Sequence, residues 1–472
     1  MSDTTIVGTS ASAADAPSNP PRKSAAESDN RARAVAAAPP DPQRRSRRLQ
    51  WILAGIAVLL LALFPIYQGG SLLYIGLTCM AAAVGAVGLT LLTGVTGQLS
   101  LAHAFFLAIG TYSYAYLSGQ PGGQAVQYGG LGLHPVLGAI GGVLLAGVAG
   151  LLFSPIASRL RGIYLGVASL SLVLIGQHLL FNWQTVTGGF NGRPAEPFRL
   201  FGFEFSNESP ENLFVLNVPF GRNERLWYLF LVLLVLACLF ARNLLRSRPG
   251  RALQMVRDRE VAASVMGVGV ARYKAYAFVL SSLYAGLAGV MLALVLRPTP
   301  ESFGLVLSIS YLAMIVIGGL GSVVGAVVGA SFVTALPAIF QQYSDLFPFL
   351  AQPGTGGLDA STLAKFLYGG AVVIVLLVEP GGLGAVGRRF IARISGAARM
   401  TKRTVKAATT ETVVSDPQAV KVTAAASPEQ ARATTPQDSP TADPASSSPG
   451  DGPPQREAPD RASNQSNRDE EH

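Results

Sequence analysis

Polar side chains and glycines interrupt an otherwise apolar run between residues 94 and 103. The run contains Gly97, Gln98, Ser100 and His103, which bring exposed backbone and several hydrogen-bonding groups together. A polar group left unpaired in an apolar environment costs about 2–7 kcal/mol, so these groups must face a neighbouring helix or a water-filled cavity. Two interpretations follow: the groups hydrogen-bond one helix to another, or they line a path for a polar solute.

A second informative stretch, residues 242–274, holds eight Lys or Arg against two acids. A short helix with mixed apolar and charged positions is predicted within it, ending at Gly267, a residue type that suits the position just past a helix C-terminus. Ala262 and Ala263 would allow another surface to approach closely. We call residues 246–272 the basic loop. It is either an ordinary amphipathic helix or a docking element for a separate subunit.

The sequence offers no constellation for catalysis, for a metal or for a bound cofactor. The four histidines are too scattered to propose a zinc site, and Cys79 and Cys238 lie in apolar runs, where packing is their simplest role. The glycine-rich stretch 318–321 lacks the Gly-Lys-Ser/Thr ending of a phosphate-binding loop, and the chain contains no Gly-Lys dipeptide. We therefore expect neither an enzyme nor an ATP site.

An uneven distribution of charge indicates which elements position these residues. Of the 472 residues 13% are charged, against roughly 25% in a soluble globular protein. The first 50 residues and residues 388–472 hold 36 of the 63 charged residues. This composition predicts a polytopic membrane protein with two polar tails and excludes a soluble enzyme or a secreted domain. The net charge of +9 comes largely from basic flanks of apolar segments, which indicates membrane orientation rather than nucleic-acid binding.

Ten apolar segments are candidates for membrane helices, for which about 20 residues are needed. They lie near residues 51–67, 71–92, 98–118, 132–153, 162–181, 226–243, 273–296, 305–318, 322–340 and 365–379. The predicted fold class is all-α, a polytopic membrane protein with about ten transmembrane helices. Gly and Ser in 98–118 and 305–340 favour broken or re-entrant helices, and whether 305–340 crosses once or twice stays open.

Basic flanks predict the orientation of these helices. Arginines precede the first helix, the basic loop follows the sixth, and further arginines follow the last, so ten crossings place all of them on the cytoplasmic side. Residues 1–48 and 388–472 are too polar to bury a core and are predicted to be disordered cytoplasmic tails. They flank a transmembrane domain at 49–387, with a long external loop at 182–225.

The basic loop carries the pattern Gly-Arg-Ala-Leu, Arg-Asp, Glu-Val-Ala-Ala and Met-Gly-Val between residues 250 and 268. This pattern resembles the Glu-Ala-Ala loop of ABC-importer permeases, in particular the branched-chain amino-acid permease family of the LivM type. In that family the loop forms a coupling helix that fits a cleft on the ATPase subunit. The resemblance implies these coupling residues: Arg257, Asp258, Glu260, Ala262, Ala263 and Gly267.

Other stretches are similar to the same family, over about residues 75–385. They lie at 92–104, 161–165, 182–192, 317–325, 366–369 and 379–383. The resemblance adds four loop residues to the candidates for a translocation path: Thr187, Gly188, Gly189 and Asn191. The motifs indicate the family but not the substrate, because urea and amide permeases are built on similar segments.

The resemblance implies an ABC-importer permease in the cytoplasmic membrane that binds no cofactor itself. ATP would be used by two ATP-binding cassette ATPase subunits, and a second homologous permease would form the other half of the pore. An external substrate-binding protein would contact residues 182–225 and 119–131, membrane lipid would surround the helices, and no nucleic acid is expected.

The implied substrates are branched-chain or other small amino acids. Two alternatives stay open at this point. One is the same machinery carrying urea or short amides. The other, from a different class, is a stand-alone secondary transporter.

Overall fold

The computed structural model describes residues 42–68, 70–120, 129–160, 162–200, 202–206, 214–215, 218–219 and 221–342, with scattered positions between 363 and 389. These residues are mostly helical, as the sequence predicts. Nearly all of the predicted C-terminal tail, most of the predicted N-terminal tail and nine of the fifteen residues of the predicted tenth span lie outside the described residues. The first helix begins at Pro42 and therefore extends into the predicted N-terminal tail, with proline in the first helical turn, where its missing N–H costs nothing.

Twelve α-helices are described. In chain order they are α1 (Pro42–Tyr67), α2 (Ser71–Leu89), α3 (His103–Ser118), α4 (Pro135–Arg159), α5 (Ile163–Asn182), α6 (Gln184–Thr187), α7 (Arg222–Arg246), α8 (Arg248–Asp258), α9 (Glu260–Val265), α10 (Val270–Val295), α11 (Leu305–Gly318) and α12 (Val323–Gln342). A π-helical turn at Thr90–Gly94 extends α2, and 3₁₀ turns lie at Gly189–Asn191 and Pro300–Phe303.

The long loop contains two small antiparallel hairpins, which the all-α prediction did not include. The paired strands are β1 (Arg199–Leu200) with β2 (Phe203–Glu204), and β3 (Phe214–Val215) with β4 (Val218–Pro219). Each strand has only two residues, so the hairpins are small additions to a helical fold and do not form an extended sheet.

Six stretches of the described residues are long and apolar enough to cross a membrane. They are Ser71–Gly94, Pro135–Arg159, Ile163–Asn182, Arg222–Arg246, Val270–Val295 and Val323–Phe340. The apolar part of α1 and the whole of α11 are shorter. The chain is therefore a multi-pass membrane protein, while the predicted count of about ten helices is not confirmed. Residues 305–340 form two helices, separated by a turn in which Gly319 and Gly321 have positive φ.

The helix α2 lies at the centre and is largely buried, whereas α4, α5 and α7 are mostly exposed. Small residues let α3, α4 and α10 approach at backbone distance. A Cβ on Gly110 would lie 2.3 Å from the carbonyl oxygen of Gly286, and a Cβ on Gly142 would lie 2.8 Å from that of Gly110. Close backbone contact is the usual basis of helix association in lipid, so Gly142 lets α4 pack directly on α3.

The helix α1 is fastened to α7 at the turn that Pro65 disrupts. Proline has no N–H, so the carbonyl of Leu61, four residues earlier, loses its helical donor. Trp227 Nε1 donates to that carbonyl oxygen at 2.8 Å, and the Tyr228 hydroxyl donates to the carbonyl oxygen of Ala62 at 3.0 Å. The two aromatic donors of α7 therefore satisfy the weakened turn of α1.

Candidate functional site

The basic loop folds into two short helices rather than the single helix predicted from sequence. Arg259 is extended, with φ −154° and ψ 101°, and separates α8 from α9. Ser247 caps the N-terminus of α8, where its Oγ accepts a hydrogen bond from the Gly250 N–H at 3.4 Å. A Cβ on Gly250 would lie 2.2 Å from the carbonyl oxygen of Leu244, so glycine permits the tight passage from α7 into α8.

The helix α9 ends just before Gly267, which takes the position past the helix C-terminus that the sequence predicts. Gly267 has φ +81°, and its N–H donates to the carbonyl oxygen of Ser264 at 3.0 Å. The Val268 N–H donates to the carbonyl oxygen of Ala263 at 3.0 Å, which completes a Schellman motif. Gly267 therefore acts by ending the helix.

The outward side of α9 is apolar. Val261, Val265 and Met266 are 73%, 83% and 72% exposed, and Ala262 is exposed beside them. Ala263 is only 1% exposed, so the surface that it lets approach closely belongs to its own chain, and its predicted role in coupling stays a prediction. Sequence reasoning missed the two valines and the methionine. The available signal was the i, i+4 spacing of the valines within a charged loop.

Arg257 reaches from α8 into the membrane body. Its Nη1 donates to the carbonyl oxygen of Gly94 at 3.0 Å, and its Nε donates to the Asp258 carboxylate at 3.2 Å. A Cβ on Gly97 would lie 3.0 Å from Arg257 Cγ, so the chain at Gly97 passes directly against this side chain. Arg257 therefore makes an internal contact, whereas the Asp258 side chain is 66% exposed.

Glu260 also faces inward. Its Oε1 lies 2.5 Å from Nζ of Lys274 in α10, and the Lys274 side chain is 4% exposed. The carbonyl oxygen of Lys274 accepts a hydrogen bond from Gln98 Nε2 at 3.3 Å. The structure thus brings two predicted coupling residues, Arg257 and Glu260, to two predicted path residues, Gly97 and Gln98.

Residues 97–102 form a break between two helices, which we call the helix break. Gly97 has φ +72°, and α3 starts at His103 instead of near residue 98 as predicted. Ser100 Oγ accepts from the Ala102 N–H at 3.3 Å, and Ser308 Oγ of α11 accepts from the Ala104 N–H at 3.1 Å. Hydroxyl groups thus supply acceptors to the backbone where α3 begins.

Four buried polar atoms beside the helix break have no hydrogen-bond partner within the part of the chain that the structure describes. They are Thr90 Oγ1, Thr93 Oγ1, Gln98 Oε1 and His103 Nε2. The His103 ring packs on the Tyr311 ring of α11, with centroids 4.8 Å apart. Leaving a buried polar atom unpaired costs about 1–3 kcal/mol. These unpaired atoms lie at the polar interruption for which the sequence leaves two interpretations open, a contact between helices or a path for a polar solute.

The loop candidates for the path lie at the other end of α5. The Leu101 N–H of the helix break donates to Ser169 Oγ near the start of α5, at 2.9 Å. Asn182 ends α5 roughly 20 Å further along the helix axis, at 1.5 Å per residue. The structure therefore does not bring the loop candidates together with the helix break.

Thr187, Gly188 and Gly189 build a tight turn after α5. Thr187 Oγ1 donates to the carbonyl oxygen of Leu180 at 2.8 Å and accepts from the Gly189 N–H at 3.1 Å. Gly188 and Gly189 have φ of +79° and +59°, which favours glycine. Asn191 is exposed. The first three residues thus shape the loop, and their place on a path stays a prediction.

Comparison with known proteins identifies the family. A family model described as branched-chain amino acid transport system / permease component matches residues 71–376. The chain is 31% identical over 359 residues to the high-affinity branched-chain amino acid transport system permease protein LivM of Escherichia coli strain K12, covering 73% of this chain and 77% of that protein. It is 32% identical over 327 residues to the LivM protein of Salmonella typhimurium, covering 66% and 70%.

A second kind of permease is also similar. The LivH protein of Salmonella typhimurium is 25% identical over 307 residues, covering 64% of this chain and 90% of that protein. No solved structure matches the chain. The extent of the family match, the LivM relatives and the membrane-spanning helices lead to one conclusion: the chain belongs to the family of branched-chain amino acid transport permeases.

Proposed function

We propose that this chain is one permease subunit of an ATP-driven importer of branched-chain amino acids, energised by a separate ATPase. The observation that carries the proposal is the exposed apolar face of α9, formed by Val261, Val265 and Met266. This face projects from a loop that is itself fixed to the helix break. A partner that moved α9 would therefore act on the membrane body.

The surroundings of α9 favour a protein partner over lipid. Asp258 and Arg259 immediately precede the helix and are exposed, and inserting such charges into hydrocarbon is costly. An apolar patch bordered by charges is the usual composition of a protein interface with a polar rim. A cleft on an ATPase subunit fits this description, and ATP would be bound and hydrolysed there.

The length of α7 supports opposite positions for the two large loops. It joins the long loop to the basic loop and has 25 residues, or about 37 Å at 1.5 Å per residue, which exceeds a hydrocarbon core of about 30 Å. The Lys and Arg excess of the basic loop favours the cytoplasmic side, where an ATPase would dock. The long loop would then face an external substrate-binding protein.

The helix break is the proposed translocation path. The unpaired polar atoms in and beside the helix break are enclosed in the described conformation, and they would gain contacts with water or substrate when the bundle opens. Switching between two discrete packings, and not continuous deformation, is the usual behaviour of close-packed helices. The two kinds of relative, LivM and LivH, support a pore made from this chain and a second homologous permease.

Leucine uptake into proteoliposomes tests the proposal. Vesicles would contain this chain with its permease and ATPase partners, with the binding protein outside, and control vesicles would contain this chain alone. We expect uptake only with ATP and the full set of subunits, with inhibition by excess isoleucine or valine but not by urea.

Two results would overturn the proposed function. Uptake by the chain alone, driven by an ion gradient, would identify a secondary transporter. Competition by urea or acetamide without competition by isoleucine would identify a urea or amide permease.

A further inference from the structure

Lys274 is a cation buried close to the beginning of a helix. It lies in the second turn of α10 and is 3% exposed. Lysine is almost never fully buried unless it is paired, and the positive end of the helix dipole disfavours a cation near a helix N-terminus. The ion pair with Glu260 at 2.5 Å offsets these costs. The burial of Lys274 is therefore explained more simply by its contacts with other segments than by packing.

Lys274 holds two different segments. Its ammonium pairs with Glu260, the first residue of α9, while its carbonyl oxygen accepts from Gln98 Nε2 in the helix break at 3.3 Å. The Gln98 amide also donates to Thr96 Oγ1 at 3.2 Å, which fixes its orientation. A short path of polar contacts therefore runs from α9 through Lys274 to the helix break.

Arg257 supplies a second attachment between the same two segments. It lies three residues before Glu260, and it donates to Gly94, four residues before Gln98. A segment held at one point can pivot about that point, whereas a segment held at two separated points keeps its orientation. The paired contacts therefore make the basic loop and the chain at residues 94–98 a single mechanical unit.

This unit meets a third element. A Cβ on Gly94 would lie 2.4 Å from the backbone nitrogen of Gly321, in the turn between α11 and α12. Gly94 also ends the π-helical turn, a type of helical defect that is frequent at functional sites. Displacement of residues 94–98 would therefore reach α2, α3 and the α11–α12 turn together.

We infer that Lys274 is a positioning residue which, together with Arg257, forms a two-point attachment that delivers movement of α9 to the helix break. The inference rests on the proposed function, because it assumes that a partner moves α9. The inference adds a specific element of the permease, the two contacts made by Lys274 and Arg257. These contacts would prevent the basic loop from rotating when α9 moves, so that the movement reaches the helix break.

The test compares Lys274→Met with wild type in proteoliposomes of the complete transporter, measuring leucine uptake and ATP hydrolysis on the same vesicles. We expect ATP hydrolysis to persist while uptake per ATP falls about tenfold, a size typical of mutations in a coupling network. Lys274→Arg should restore most of the ratio. The matched control is Arg272→Met, which removes an exposed cation two residues earlier and should leave the ratio unchanged.

A second variant separates coupling from folding. Lys274→Met with Glu260→Gln removes both charges of this ion pair, so it should assemble even if Lys274→Met alone does not, and its uptake per ATP should stay low. A wild-type ratio in the double variant would overturn the inference, since the pair would then be merely structural. Failure of the wild-type complex to couple uptake to ATP would instead contradict the proposed function.

Discussion

The guanidinium of Arg257 donates a hydrogen bond to the carbonyl oxygen of Gly94 at 3.0 Å, across 163 positions of sequence. Gly94 ends the π-helical turn that continues α2, the most enclosed span of the described residues. This bond joins a loop outside the spanning helices to the centre of the bundle. Arg257, a proposed coupling residue, therefore contacts a membrane-spanning segment of its own chain directly.

Arg257→Met should reduce uptake per ATP about tenfold, because it removes the donor to Gly94 while keeping much of the stem. The Arg257 side chain is 45% exposed, so we expect the free energy of unfolding to change by only about 1 kcal/mol. Leucine uptake and ATP hydrolysis in proteoliposomes measure the first effect, and denaturation in detergent measures the second. Arg259→Met is the matched control, and equal behaviour of both variants would show that the Gly94 contact has no role in coupling.

Gly97→Ala should destabilise the fold, because Gly97 has φ +72° and a Cβ would lie 3.0 Å from Arg257 Cγ. The left-handed conformation alone costs a non-glycine residue about 1–2 kcal/mol, and asparagine tolerates it better. The thermal midpoint in detergent should therefore fall more for Gly97→Ala than for Gly97→Asn. Gly129→Ala, where nothing lies within 4 Å, should be neutral. Wild-type stability of Gly97→Ala would argue against the described helix break.

The bond from Trp227 to Leu61 should depend on Pro65. Trp227→Phe leaves the Leu61 carbonyl without a donor, at a cost of about 1–3 kcal/mol in free energy of unfolding. In a Pro65→Ala background the new N–H can bond to Leu61, so the same substitution should cost less. A double-mutant cycle of chemical denaturation measures the difference. Equal costs in both backgrounds would contradict this account of how α1 is held.

Two threonines whose hydroxyl groups are enclosed should respond differently to valine. Thr93 Oγ1 has no partner among the described residues, so Thr93→Val should leave stability unchanged or raise it. Thr111 Oγ1 donates to the carbonyl oxygen of Gly289 at 2.8 Å, so Thr111→Val should lower the free energy of unfolding by about 1 kcal/mol. If the helix break lines the path, Thr93→Val should also slow uptake. An equal loss of stability in both variants would show that Thr93 is an ordinary interhelical contact.

Sequence patterns predicted the features that depend on local chemistry. Gly267 was recognisable as a helix terminator because a left-handed residue after a helix is a local requirement, and the structure confirms it. The polar interruption containing Gln98 and His103 was likewise visible, and both residues are buried. The scarcity of charge in the chain body predicted membrane-spanning helices.

Features that depend on distant contacts were not predictable in the same way. The resemblance implies coupling roles for Arg257 and Glu260, but the sequence does not show that they contact Gly94 and Lys274 of the same chain. Spacing within a six-residue helix cannot reveal which side meets the rest of the chain, so the burial of Ala263 was not predictable either. The start of α3 was missed because serines from α5 and α11 accept backbone N–H groups at the helix break, which no local pattern shows.

The outer face of α9 offers the most direct test of the central claim, that an ATPase subunit docks there and drives uptake. Val265→Asp with Met266→Asp places charges on the exposed apolar face without touching the Lys274 ion pair. The measurement is the amount of ATPase that co-purifies with the permease, together with ATP-dependent leucine uptake. Ser264→Asp, which adds a charge to an exposed position at the edge of the same helix, is the control.

We expect the double aspartate variant to insert normally, to lose at least about 90% of the bound ATPase and to lose uptake in proportion, because the new charges would be buried in the core of the interface. The control should retain both. Normal ATPase binding and normal leucine uptake by the double aspartate variant would show that no ATPase subunit docks on this face of α9.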